Sequence, residues 1–397
     1  MIEAFMAESG SSRAKDKQKY DIFRLIYENT EISHKAISQQ LKLRPLTVTQ
    51  SLQELIEDRM IVQASQIRQV AKGRPVTNFC LNPRRFLVLS AVVSSRFFTF
   101  NLIDMRGNFL HEEQIPLPSS IDNQALKEIL VSTINHLARL AGEGEELKGV
   151  VFSLPGWLDI SAKTWVRTAR WKNLAKFSFA EIEETCGIKV TISPTNTNML
   201  NCYLRQHQEY QDGGTAMISW GWRIIMSYGC DGEIFTNRDS HFGHIGHQIV
   251  NLTPDAQRCD CGAYGCLETE AALWSLLPLL REQFPDAPAD EAAFAHFIAS
   301  NDLNKMQCVE RAIPFMIASA VNVSRMFYPE RILMTGVFLE NKQIAQQLTR
   351  QWQDISAQSQ LPLPVLILHT QKGMGADIGA ALPVFDYSVA MAMKARF

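Results

Sequence analysis

The chain has 397 residues, 46% hydrophobic and 20% charged, the composition of a soluble globular protein long enough for two or three domains. No run of about 18 uncharged apolar residues occurs and no basic, apolar, small-residue leader opens the chain, so a membrane span and secretion are not expected; the cytoplasm is. The net charge of −2 hides an asymmetry: 12 Lys and Arg face 9 Asp and Glu up to Asn82, and 27 face 32 beyond it. That balance suits a DNA-reading head on a ligand-binding or assembling body.

Residues 1–14 are small and polar and are assigned no structure. Tyr20, Phe23, Ile26 and Tyr27 recur at helical spacing and predict an amphipathic helix over 15–28. Ser33 can cap a second short helix carrying Ala36, Ile37 and Leu41. Lys42-Leu43-Arg44 makes a turn, and Pro45 starts a third helix, over 45–58, where its missing N–H is no loss. That helix is expected to put Val48, Leu52, Leu55 and Ile56 on one side and Thr47, Gln50, Ser51 and Glu54 on the other.

Helix, turn, helix with a polar outer face is the layout that lays a recognition helix in the DNA major groove. There Gln pairs with adenine, and Thr meets phosphate or a thymine methyl. Arg44, Thr47, Gln50 and Ser51 are the candidates for these contacts. A plain three-helix bundle or a protein-docking domain would show the same pattern. Short strands at 60–62 and 76–81 would form a wing around a basic turn holding Arg68, Lys72 and Arg74. The Gly73-Arg74-Pro75 step is thin and extended, so Lys72 and Arg74 either reach a narrow minor groove or belong to a solvated basic loop.

Beyond Pro83 the pattern changes to paired strands over 86–104, a turn at 105–108, a helix over 125–140 and a buried strand over 147–154 ending at Pro155-Gly156. A strand at 189–194 and a helix at 198–207 repeat the motif. Farther on, helices are predicted over 268–284, 291–299, 305–327 and 341–357, with strands at 332–335 and 365–369. The layout is α/β with two related halves, and the domain division is 1–82 and 83–397.

Cys259, Cys261 and Cys266 form C-x-C-x4-C, with Gly262 and Gly265 free to fold the loop back and His247 twelve residues upstream of the first. Three thiolates and one imidazole are a closed tetrahedral set for one structural Zn2+ per chain, with no position open for water. The odd cysteine count and tight glycine turn argue against a disulfide.

The segment G-H-I-G-H followed by R-C-D-C-G-A-Y-G-C-L-E-T resembles the zinc loop of the ROK family, which groups bacterial sugar kinases with sugar-responsive repressors. In that family the pattern is G-E-x-G-H, then C-x-C-G-x-x-G-C-x-E, and the four ligand positions carry over to His247, Cys259, Cys261 and Cys266. The resemblance implies a two-lobed, actin-like body. At the N-terminus it implies a winged helix-turn-helix with a G-R-P linker, as in the repressor branch of glucose-uptake and N-acetylglucosamine type.

It also shows what has changed. The kinase turn D-x-G-G-T aligns with Val92-Val93-Ser94-Ser95-Arg96, and G-x-G-x-G with Gly221-Trp222-Arg223-Ile224-Ile225. The Asp of N-D-A-N, the catalytic base, is replaced by Thr197, which cannot take a proton at ordinary pH. Of the family's sugar contacts the chain keeps Pro155, Gly156, Asn196, His247 and Glu268, but has His244 and Thr197 where two carboxylates stood. Asn196 and Glu268 either contact a ligand or brace the zinc loop.

The expectation is a homodimeric or tetrameric DNA-binding regulator without kinase activity, its partner an operator duplex and its inducer a sugar-derived molecule or a sugar-transport (phosphotransferase) protein. An altered sugar kinase with an accessory N-terminal domain is the alternative. A zinc-stabilised scaffold without DNA binding is a third reading.

Overall fold

The computed structural model describes residues 14–64, 77–168, 170–171, 173–237, 241–370 and 374–394. Its first helices are α1 (Ala14–Glu28), α2 (His34–Gln40) and α3 (Pro45–Glu57). Ile22, Phe23 and Ile26 of α1 pack with Ile37 of α2 and with Val48, Leu52 and Leu55 of α3, the stripe that their spacing predicts. The Ser33 hydroxyl accepts the Ala36 N–H at 3.2 Å, capping α2. Lys42 turns the chain in the left-handed region (φ 52°), and Arg44 is extended ahead of Pro45.

Strands β1 (Ile32–Ser33), β2 (Ile61–Gln63) and β3 (Asn78–Leu81) pair antiparallel in the order β1-β3-β2. Two residues carry no readable periodicity, so β1 had no signal in the sequence. The basic turn with Lys72 and Arg74 lies outside the described residues.

Two five-stranded sheets build the body. In the first, β4 (Phe86–Ser94), β5 (Phe97–Asp104) and β6 (Phe109–Pro116) form an antiparallel meander, and β7 (Glu146–Leu154) and β11 (Val190–Pro194) add parallel to β4, giving β11-β7-β4-β5-β6. Helices α4 (Asn123–Ala138) and α5 (Ala180–Cys186) make the crossovers. A small sheet, β8 (Trp157–Asp159), β9 (Thr164–Arg167) and β10 (Ala175–Ser178), fills the return.

Helix α6 (Thr195–Gln206) leads to the second sheet. There β12 (Gly214–Trp220), β13 (Ile224–Cys230) and β14 (Glu233–Ile234) form the meander, and β15 (Arg331–Thr335) and β16 (Val365–His369) the parallel half. The order β14-β13-β12-β15-β16 repeats that of the first sheet. Its helices are α7 (Leu267–Ala271), α8 (Leu273–Gln283), α9 (Glu291–Ser300), α10 (Gln307–Phe327) and α11 (Lys342–Gln358), and the last described helix is α12 (Ala376–Met393).

Both sheets are covered on two faces. Along β4, Leu87, Leu89, Ala91 and Val93 face the α4 side, whereas Phe86 and Val88 join Ala380, Ala381, Phe385 and Val389 of α12. Along β12, Ala216, Ile218 and Trp220 face the α10 side, and Met217 meets Met199, Leu200 and Tyr203 of α6. Each half therefore sends its final helix against the sheet of the other half. The two helices touch at Gly379, where a Cβ would stand 1.9 Å from the Asn198 carbonyl oxygen.

One expected helix, over 268–284, is two. Ala272 is extended (ψ 148°), and the Leu273 N–H leaves the helix to donate to the Gly221 carbonyl at 2.9 Å, which breaks α7 from α8. Helix α12 was not read from the sequence: it is apolar on nearly every side and contains Pro383, so it shows no amphipathic stripe. The same apolar cluster includes α1 and α3, so head and body share a core. Across that junction Tyr27 Oη donates to the Met105 carbonyl at 3.1 Å and Arg85 Nε to the Asp58 carbonyl at 2.9 Å.

Candidate functional site

The cysteine loop is built by local backbone bonds. His247 ends a single 3-10 turn, Ile245–His247, and isolated bridges pair Ile249 with Cys266 and Arg258 with Tyr264. The Cys259 N–H donates to the Ala263 carbonyl at 2.8 Å, and the Gly262 N–H returns to Cys259 at 2.9 Å. Gly265 is obligatory: at φ 70° a Cβ would lie 1.7 Å from the Asn251 carbonyl oxygen.

This folding brings one donor atom each of His247, Cys259, Cys261 and Cys266 within 4.8 Å of one another. His247 Nδ1 is 3.5 Å from Cys259 Sγ, and the Cys261 and Cys266 sulfurs are 3.6 Å apart. Zn–S bonds of about 2.3 Å at tetrahedral angles need sulfurs about 3.8 Å apart, so the four groups can hold a metal nearly as they stand. Burial raises the Cys259 thiol and pushes that of Cys266 up to about 12, so both need a cation to become thiolates. All eight cysteines are free.

The retained ligand-site residues are engaged within the protein. Glu268, 2% exposed, pairs with Arg223 Nη1 at 2.5 Å and accepts from Trp274 Nε1 at 3.0 Å. Arg223 Nη2 also binds Asp260 at 2.9 Å, between two of the cysteines. Arg223 stands where the kinase turn carries a glycine, so its guanidinium joins β13, the cysteine loop and the start of α7. Asn196 donates to Ser227 Oγ at 2.8 Å and accepts from the Ser219 hydroxyl. Pro155 accepts from Trp165 Nε1 at 2.8 Å, and Gly156 (φ 92°) turns so close to Arg167 that a Cβ would be 2.4 Å from its carbonyl oxygen.

The turns around Ser95 and Trp222 are also engaged within the protein. The Glu291 carboxylate, at the start of α9, pairs with Arg170 from the other lobe and accepts the Trp222 N–H at 3.1 Å. Its own N–H donates to Ser95 Oγ at 3.4 Å, in the β4–β5 turn, and Arg170 lies 5.5 Å from the Trp222 ring centroid. Arg170 and Glu291 were not singled out in the sequence, since 121 residues separate them and neither falls in a motif.

On α3, Arg44 and Gln50 are exposed and Thr47 is half-buried. Ser51 is 3% exposed and belongs to the inner face, correcting the expectation that it points outwards. At 100° per residue it falls beside Leu55, at the edge of the stripe of Val48, Leu52 and Leu55. Glu54 turns back to Lys15 at 2.6 Å. The outward face is instead Leu46, Thr49, Gln50 and Gln53, a spacing of three and four that the sequence already held. Thr49 Oγ1 is 2.9 Å from His34 Nε2, tying α3 to α2.

A family model described as the ROK family matches residues 95–384. The chain belongs to the ROK family. The DNA-binding transcriptional dual regulator NagC of Escherichia coli is 26% identical over 337 residues, 80% of each chain. The DNA-binding transcriptional repressor Mlc of the same species is 25% identical over 264 residues, 65% of this chain and 63% of that one. A solved ROK family transcriptional regulator, described as a homolog of E. coli Mlc, superposes with a TM-score of 0.74 at 20% identity, covering 96% of this chain and 98% of that one. The ROK hexokinase of Thermus thermophilus gives 0.58 at 19% identity, over 76% of this chain and 99% of that one. The shared fold is thus the two-lobed, actin-like one, common to regulators and kinases.

Proposed function

We propose that this ROK protein is a DNA-binding transcriptional regulator, a repressor of sugar uptake or metabolism genes, and that it transfers no phosphate. The observation that carries the reading is the head: α2 and α3, joined by a tight turn, present an exposed helix face of Thr49, Gln50 and Gln53 with Leu46 beside a three-stranded sheet. This supports reading the head as a winged helix-turn-helix, with residues 1–82 as the DNA-binding domain and 83–397 as the body. The names of the relatives, N-acetylglucosamine and xylose repressors among them, support the sugar connection.

In this reading α3 enters the major groove with Thr49, Gln50 and Gln53 at base edges and Arg44 and Thr47 near phosphates, and Lys72 and Arg74 reach the minor groove. Pairing of bodies in a homodimer or tetramer sets two such helices about one DNA turn apart on a palindromic operator. One Zn2+ per chain, held by His247, Cys259, Cys261 and Cys266, would supply a fixed cross-link and no reaction. Glu268 and Arg223 position that loop.

Phosphoryl transfer has lost its base at Thr197, and Trp222, Arg170 and Glu291 stand in the phosphate path. With Asn196 and Glu268 engaged internally, the inducer is a sugar-derived molecule bound elsewhere or a sugar-transport protein, in the cytoplasm. Among the described residues no helix is long and apolar enough to cross a membrane.

Selection of genomic fragments by the purified protein tests the reading. A paired-half-site sequence near sugar genes is the expected result; uniform recovery of all sequences would contradict it.

A further inference from the structure

A cavity of about 780 Å³ opens where the head, the first sheet and α12 meet. It lies beside the β7–β11 end of the sheet, against α12 and α6. Gly149 on the strand and Ala380 on α12 are small there, and Pro383 lies within the helix. The Gly379 carbonyl, which Pro383 deprives of its helical donor, accepts from Asn201 Nδ2 at 2.9 Å instead, and Asn201 also lines the cavity.

The walls combine an apolar floor, including Phe86, Val151, Ile192 and Val384, with an unequal set of charges. Four basic residues, Arg85, Lys148, Lys189 and Lys394, face two acids, Asp58 and Glu146. Arg85 and Lys148 share Glu146, each at 2.5 Å, so one carboxylate serves two cations. Lys189 Nζ lies 5.0 Å from the Tyr387 ring centroid, at the margin of the apolar floor. A volume in the range of small-molecule sites, an apolar floor and surplus positive charge together select an organic anion with an apolar body.

The position is also the junction of head and body. Asp58 caps the C-terminal end of α3 and receives Lys19 at 2.8 Å, while Arg85 couples the Asp58 carbonyl to Glu146 of the body. We propose that this cavity is an effector site for a small organic anion with an apolar body, whose occupancy is sensed by α3 through Arg85 and Asp58. This goes beyond the repressor reading by locating a control site outside the cleft between the lobes, and it rests on that reading only for its effect on DNA.

The test uses 8-anilinonaphthalene-1-sulfonate as probe, with uncharged N-phenyl-1-naphthylamine beside it, on the full chain. Fluorescence titration is expected to show saturable binding of the sulfonate, at least tenfold weaker for the uncharged probe and for Lys189→Glu. Lys127→Glu, on α4 across the sheet, should bind like the wild type. Val384→Trp, which fills the cavity, gives a second variant; melting curves confirm that each variant is folded.

Hydrogen exchange with and without the sulfonate is expected to slow at residues 54–62 and 380–392. Equal binding by Lys189→Glu and wild type, equal binding of the two probes, or cavity binding without changed exchange in 54–62 would overturn the proposal. Neither readout depends on DNA, so a protein that selects no operator would defeat the repressor reading while this result stands on its own.

Discussion

Adjacent residues on α3 separate stability from recognition. Gln50 is exposed and Ser51 is buried among Leu52, Leu55 and Val48. Gln50→Ala is expected to leave the urea midpoint unchanged and to lower operator affinity by about 1–3 kcal/mol, the discrimination carried by one good base contact. Ser51→Glu should do the reverse, unfolding the head because an unpaired carboxylate cannot be buried there. A melt paired with a DNA titration for both variants checks this, and loss of stability in Gln50→Ala would contradict the assigned faces.

Arg223 makes a second residue-scale case. Replacing it by Met leaves Glu268 buried without its cation, a loss of about 3–5 kcal/mol for a broken buried pair. Arg223→Met combined with Glu268→Gln should recover part of that stability, as read by denaturant midpoints. No recovery would mean that the guanidinium acts through Asp260 or Trp274 instead.

What the sequence made legible follows from how local each signal is. The cysteine loop was readable because its ligands and glycines sit within twenty residues, and the four named side chains do converge. Ser51 was placed on the wrong face because, at the edge of the stripe, a small hydroxyl residue fits either side. The roles of Asn196 and Glu268 were left open, since Ser219, Ser227 and Arg223 engage them only after strands β12 and β13 pair. The Arg170–Glu291 contact depends on the two lobes meeting.

At the scale of elements, the exchange of α6 and α12 between the two sheets joins the halves, and the helices approach most closely at Gly379. Gly379→Val would push the helices apart at the Asn198 carbonyl and should cost about 3 kcal/mol, the upper range of overpacking, as measured by the urea midpoint. Helix α12 escaped the sequence because a helix apolar on nearly every side has no periodic face, even where Tyr387 and Met391 are exposed, whereas α10 and α11, with one polar face each, were found.

The cysteine loop is the other element with a direct test. Zinc removal by a chelator, or Cys259→Ser, should lower the melting temperature and weaken DNA binding indirectly by loosening the body. A zinc-free protein with unchanged melting and unchanged operator affinity would refute the structural role.

For the whole molecule, the duplicated fold is shared by kinases and regulators, so fold alone does not choose between them. The choice rests on the ends of the chain's logic: phosphate turns occupied by Trp222, Arg223 and Ser95, and a head whose helix face is polar and exposed. An ATP-coupled assay over common hexoses and amino sugars is expected to show no turnover, and phosphorylation abolished in Asn196→Ala or Glu268→Ala would reinstate the kinase reading.

The most direct measurement is titration of a genomically selected site with the wild-type protein and Gln50→Ala at several salt concentrations. Tight, paired-half-site binding that falls steeply with salt is expected, with a weaker Gln50→Ala complex of the same salt slope, since a base contact is lost and no phosphate contact is. Weak binding, equal for all sequences and indifferent to Gln50, would contradict it.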